Sequence, residues 1–239
     1  MPFSPVLHSE WIKIRSLRSL IGALCAIPLV TAGFTALFAA TGTTGADTDV
    51  LYPAFFGVTF GQIAAIAFGT TAVSAEFHGG ALRLSLAAVP HRRRWFAAKA
   101  TAIGLPVLAV GLVTGAGSLA VGKAVMATDG PSWTSGSRGV LGCGIYLTLM
   151  ALFAAGLTAA LRSAAATLSV LIPLLLIVSF VIGDLSGGVA DFLPDRAGQV
   201  VLRGHWDGSL GPWSGLVVTA LWASAALLGG AWSVRRRDA

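Results

Sequence analysis

Apolar residues run along this chain in long, nearly unbroken blocks, with polar residues gathered between them. Six blocks approach the roughly 20 residues a helix needs to cross about 30 Å of hydrocarbon. They cover about 20–40, 51–75, 100–121, 139–161, 164–183 and 214–232. Each predicts a helix, because a backbone in lipid must satisfy its own hydrogen bonds. A barrel strand would alternate apolar and polar residues over segments of about 10, and these blocks are apolar all round. The pattern therefore predicts an all-α integral membrane protein, with one six-span transmembrane domain over 1–239. Pro28, Pro106 and Pro173 fall inside blocks and predict local kinks. The pairs Gly57/Gly61 and Gly111/Gly115 have the spacing that lets helices approach closely.

The segments between blocks carry patterns of their own. Before the first block, in "SPVLHSEWIKIRSLRSL", Leu7, Trp11, Ile14 and Leu17 fall on one helical face. With Lys13, Arg15 and Arg18 able to snorkel, this predicts a short helix lying in the membrane interface. Between the second and third blocks stands "SAEFHGGALRLSLAAVPHRRRWFAAK". Glu76 ends the second span, and Gly79 and Gly80 turn the chain. Ala81 to Ala88 predicts a short helix carrying Leu82, Leu84 and Leu86. Pro90 breaks it, and Arg92, Arg93, Arg94 and Lys99 lead into the third span. The segment from Asp184 to Trp213 is longer than a connector needs. Its "FLPDRAGQVVLRG" predicts a short helix started by Pro194, as either a solvated loop or a re-entrant or interfacial piece.

Composition supports the membrane reading. Hydrophobic residues make up 55% of the 239, charged residues 11%, and the mean hydropathy is +0.81. A soluble domain carries about 25% charged residues. With six spans, one side holds both termini, the 76–99 segment and the Arg162 turn. That side has twelve basic residues against three acids, and the other has four against seven. The bias toward positive charge on the cytoplasmic side predicts cytoplasmic termini. The basic excess is then a topology signal and a contact for anionic lipid, and no nucleic-acid partner is expected. The first 19 residues are polar and the first block is long enough to span, so no cleavable leader is expected. Cys25 and Cys143 lie far apart inside apolar blocks and read as small core hydrophobes.

Candidate chemistry is sparse. "GSLAVGKA", Gly117 to Ala124, matches G-x-x-x-x-G-K, but Ala124 stands where a Ser or Thr would hold magnesium. It also ends an apolar block instead of following a strand. His8, His78, His91 and His205 all lie outside the blocks, with no metal-ligand spacing among them. The block centres hold no charged residue, and Gln62 is the strongest polar candidate, either lining a translocation path or bonding a neighbouring helix. No catalytic or metal site is expected, and no cofactor bound by this chain. If the chain moves a substrate, a partner must supply ATP hydrolysis.

The chain resembles the ABC-2 type permeases, the membrane subunits of bacterial ABC exporters, in three places. "HSEWIKIRSLRS" (His8 to Ser19) is similar to the family's N-terminal SEW-x-K-x-RS-x-RS pattern, especially in actinobacterial members. "EFHGGALRLSLAAVPHRRRWFAAK" resembles its Glu-aromatic…Gly…Leu…Pro-x-Arg…Ala-Lys loop. "FLPDRAGQVV" resembles the outer segment between spans five and six. The resemblance implies an interfacial connector helix bearing Glu10, Trp11, Lys13, Arg15 and Arg18. It implies a cytoplasmic coupling helix in which Glu76, Gly79, Gly80, Leu82, Leu84, Pro90 and Arg92 meet a separate ABC ATPase, which would carry the ATP and magnesium. Arg93, Arg94 and Lys99 would anchor that loop at anionic headgroups or on the ATPase. The family often has a single Arg after the Pro, whereas here His91 and three Arg follow. The implied protein is a non-enzymatic permease subunit of an ATP-driven exporter in the bacterial cell membrane, working as a homo- or heterodimer of permeases. The other readings of the sequence are a non-transporting membrane anchor or immunity protein, a membrane-embedded enzyme and a stand-alone secondary transporter.

Overall fold

Small residues set how the helices meet. The structure is a computed structural model that describes residues 3–40, 49, 51–89, 91–125, 133–175, 188, 190–205 and 208–237. Helix α1 (Phe3–Ser16) leads into α2 (Arg18–Ala40). A short α3 (Leu51–Phe55) precedes α4 (Val58–Ser74), and a 3-10 turn, Ala75–Phe77, extends α4. Then come α5 (Ala81–Ala88), α6 (Arg92–Val125), α7 (Trp133–Leu161) and α8 (Ala164–Pro173). A one-and-a-half-turn helix, α9 (Pro194–Gln199), sits between 3-10 turns Ala190–Phe192 and Val200–Leu202, and α10 (Pro212–Arg237) completes the order. Among the described residues there is no strand.

Among the described residues, five helical segments are long and apolar enough to cross a membrane: Arg18–Ala40, Leu51–Phe77, Arg92–Ala124, Thr134–Leu161 and Pro212–Arg236. The chain is thus an all-α, membrane-embedded protein. The fifth expected block begins as α8, and its second half, 176–183, lies outside the described residues. The third and fourth blocks extend well past their apolar cores, because their ends carry the polar residues that leave the bilayer. Helices α2 and α6 run on through Pro28 and Pro106.

Helix α7 occupies the centre, packed against α4, α6 and α10. Its Cys143, Tyr146, Leu147, Met150, Ala154 and Thr158 recur every three to four residues and are fully buried. Gly57 and Gly61 of the α4 region lie against Thr31 of α2, where a Cβ would strike the Thr31 carbonyl or hydroxyl oxygen. Gly111 of α6 meets Gly144 of α7, with room for no side chain between them. Both expected glycine pairs therefore mark close helix crossings. Cys143 is buried, but Cys25 is exposed on α2. The outward face of a membrane helix meets lipid, so apolarity there does not imply the core.

The two ends of the bundle differ. One gathers α1, the 75–77 turn, α5, the start of α6 and the end of α10. The other gathers α3, α9 and the 200–202 turn. There the Asp49 carboxylate accepts from the backbone N–H groups of Leu51 and Gly204, at 2.9 Å and 2.6–2.7 Å. Pro194 occupies the first turn of α9, as its fixed φ favours. Pro194, Asp195, Ala197 and Gly198 are buried, and Thr219 of α10 donates to the Pro194 carbonyl at 2.9 Å. The 194–202 stretch is therefore packed among helices, while Arg203, His205, Gly208 and Ser209 beyond it are exposed.

Candidate functional site

Four charged side chains from three stretches of sequence converge at the end of the bundle that holds α1. Lys99, one turn from the start of α6's apolar stretch, donates to Glu10 Oε2 and Glu76 Oε1, both at 2.7 Å. Lys13 donates to Glu10 Oε1 at 2.8 Å and Glu76 Oε1 at 2.9 Å. The result is a ring of alternating charge, two ammonium groups and two carboxylates. Ser85 of α5 completes it, donating to Glu76 Oε2 at 3.1 Å and accepting from Lys13 at 3.0 Å. All four carboxylate oxygens have a partner, and Lys13 spends three N–H donors on Glu10, Glu76 and Ser85.

The ring lies in a dry place. Glu10 is 1% exposed, and Glu76 and Lys99 are each 3% exposed. Only Lys13 reaches solvent, with 38% of its side chain exposed. A buried ion costs several kcal/mol of lost hydration, which its partner offsets only with good geometry and full hydrogen bonding. Both conditions hold here, and the ring is neutral overall. Burial by itself would lower the pKa of the Lys13 ammonium. The hydrogen bonds to Glu10 and Glu76, with their charges, outweigh it and hold that pKa above the ordinary 10.5. Every charge in the ring is matched, so the arrangement fixes the position of the helices that carry it.

Helix α5 hangs from this ring. Gly79 and Gly80 have φ of +63° and +78°, the left-handed region that glycine enters without strain. They reverse the chain after the 75–77 turn, and Gly80 caps α5. On the inner face of α5, Leu82 packs with Trp95 of α6 and Val234 of α10, and Ser85, one turn on, bonds the ring. The outer face carries Arg83, Ala87, Ala88 and Leu84, which is 74% exposed. Helix α5 is therefore a short rod whose inner face is tied to α1, the 75–77 turn, α6 and α10 and whose outer face presents Leu84.

Several sequence expectations change here. Lys99 does not reach the headgroups, because two carboxylates hold its ammonium inside the ring. Glu10 turns inward for the same reason. Val6, Glu10 and Ile14 form the buried face of α1, while Trp11 and Leu17 of the apolar stripe stay exposed. Trp11 instead borders a groove between α1 and α6, with Leu7, His8 and Pro106. Arg15, Arg18, Arg93 and Arg94 are exposed. Arg92 is half-buried and donates to the carbonyls of Val234 and Arg235 at 3.1 Å each, closing the end of α10. Pro90 lies outside the described residues.

Gln62 is buried in mid-bundle. It accepts a hydrogen bond from Tyr146 of α7, and its amide donates to the Thr59 carbonyl at 2.9 Å. Gln199 of α9 donates to the Tyr146 oxygen at 3.2 Å and accepts from Thr59 Oγ1 at 3.2 Å. Gln62 thus joins α4, α7 and α9. The sequence reading missed Ser85, Tyr146 and Gln199 as partners. Gly117 to Ala124 lies in continuous helix α6, a geometry unlike that of a phosphate-cradling loop. No family model matches the chain, and a search of curated proteins finds none similar to it.

Proposed function

We propose that this chain is the permease subunit of an ATP-driven exporter of the ABC-2 type, moving a substrate outward when a separate ATPase pushes on α5. One observation carries the reading: α5 exposes Leu84 on its outer face while on its inner face Ser85 bonds a buried charge ring shared by α1, the 75–77 turn and α6 and Leu82 packs on Trp95 and Val234. A force applied to the outer face reaches three helices through short, saturated ion pairs, with little slack to absorb it. In this reading α1 is the interfacial connector, and the end of the bundle holding α1 and α5 faces the cytoplasm of a bacterial cell. There are six spans, the fifth beginning as α8, and the packed 190–202 segment is the outer re-entrant piece. The ATP and magnesium belong to the partner, and two permease chains make up the working assembly.

The test is co-expression of the full chain with an ABC ATPase encoded beside it. Burying a leucine contributes about 1.5–3 kcal/mol. Leu84→Asp removes that and adds a charge, so it should weaken ATPase retention at least roughly tenfold with no change in thermal stability. ATPase retention and hydrolysis equal to wild type in Leu84→Asp would refute the assignment of α5.

A further inference from the structure

At the same end of the bundle a second feature stands apart from the ring. The start of α6 and the end of α10 border an open surface groove of about 310 Å³ lined by His91, Arg92, Arg93 and Arg235. Every lining residue is basic. Arg92 fixes the geometry by donating to the Val234 and Arg235 carbonyls, which holds the two helix ends together. Helix α6 begins at Arg92, so its positive dipole end opens on the same space. Glu10 and Glu76, the acids described at this end, are held within the ring.

We propose that this groove is a binding site for a phosphate group carried by a small ester. A guanidinium matches phosphate with two parallel N–H donors, and arginines from two helices line the groove. The volume exceeds that of a bare ion and suits a phosphate with a glycerol-sized substituent. Trp232, exposed on α10 with Arg236 stacked 4.3 Å over its ring, marks the adjacent surface as amphipathic. Two sources present this chemistry, an anionic phospholipid headgroup and a soluble phosphate ester. The occupant bridges α6 and α10, so it tightens the contact that Arg92 begins. The site requires no ATPase partner and does not depend on the permease reading.

The test uses the full-length chain in detergent, titrated calorimetrically with short-chain phosphatidylglycerol and, separately, with inorganic pyrophosphate. Either ligand should bind saturably to wild type. The pair Arg93→Gln and Arg235→Gln, both at exposed positions, should weaken binding at least tenfold. The pair Arg15→Gln and Arg18→Gln removes the same charge from exposed positions near α1 and should change it less than twofold. Binding of phosphatidylglycerol alone assigns a headgroup site, and binding of pyrophosphate, with or without the lipid, a site open to soluble phosphate. Equal weakening by the two pairs would show diffuse attraction and overturn the proposal, as would saturable binding of neither ligand. If the Arg93/Arg235 pair fails to fold, Arg93→Gln alone is read by the same criteria.

Discussion

Replacing Lys99 by methionine keeps the length of the side chain and deletes one of the two cations in the ring. Glu10 and Glu76, almost fully buried, are then left with Lys13 as the ring's one cation, and the ring passes from neutral to one net negative charge. Two charge-assisted bonds of 2.7 Å disappear, each contributing about 1.5–3 kcal/mol. Removing one partner of a buried pair costs about 3–5 kcal/mol in measured cases. Lys13→Met deletes the same number of carboxylate contacts, but that side chain is 38% exposed. Water replaces part of what is lost, and about 1 kcal/mol is expected. For a chain of this size 1 kcal/mol corresponds to about 2–4 °C of melting temperature. Thermal unfolding of the full chain in detergent should therefore drop by roughly 6–20 °C in Lys99→Met and by a few degrees in Lys13→Met.

The Lys99→Met deficit should also depend on pH. The stranded glutamate gains a raised folded pKa, so the folded state binds more protons than the unfolded one and stability falls as pH rises. The deficit should shrink toward pH 5 and grow toward pH 8, and Glu10→Gln added to Lys99→Met should recover much of it. Equal losses for Lys99→Met and Lys13→Met, or a deficit indifferent both to pH and to Glu10→Gln, would refute the buried ring.

Other outcomes follow from the packing. Gly80→Ala meets open space, so its cost is backbone strain alone at φ +78°, about 1–2 kcal/mol; Gly80→Asn should cost less, both read by protease cleavage within 78–89. Gly198→Ala places a methyl group in the Tyr146 ring and should lose about 1–3 kcal/mol, whereas Gly117→Ala, with open space around it, should gain about 0.5–1 kcal/mol, both measured as melting shifts. In a Cys25→Ala background, Leu84→Cys should react with an impermeant maleimide only from the cytoplasmic side and Gly208→Cys only from outside; the reverse pattern would overturn the orientation.

Helix positions were readable from hydropathy because lipid leaves a backbone few alternatives. The bounds of α5 were readable from the Gly pair before it and the Pro after it, residues whose φ preferences punctuate a chain. The charge ring was not read, because its members are separated by as many as 89 positions. A signal did exist: Glu76 closes one span and Lys99 precedes the next, so the two stand at similar depth with opposite charge. The apolar stripe of α1 did not point to its buried face, because Val6, Glu10 and Ile14 turn inward while Trp11 and Leu17 stay exposed. A glutamate with two ammonium partners can be the better side to bury. Tyr146 and Gln199 were invisible as partners of Gln62 for a related reason, since depth in the bundle, not distance in sequence, selects who meets whom.

The ring also sets an order of events during synthesis. Glu10 and Lys13 leave the ribosome first, and Glu76 follows only after the second apolar block has been made. At that stage three of the four charges exist, and they sum to minus one. The fourth arrives at position 99, at the threshold of the next membrane segment. Helix α1 cannot settle into its final seat until that lysine has emerged. The nascent chain thus holds its amino-terminal helix loose through the insertion of two segments and locks it as the third begins.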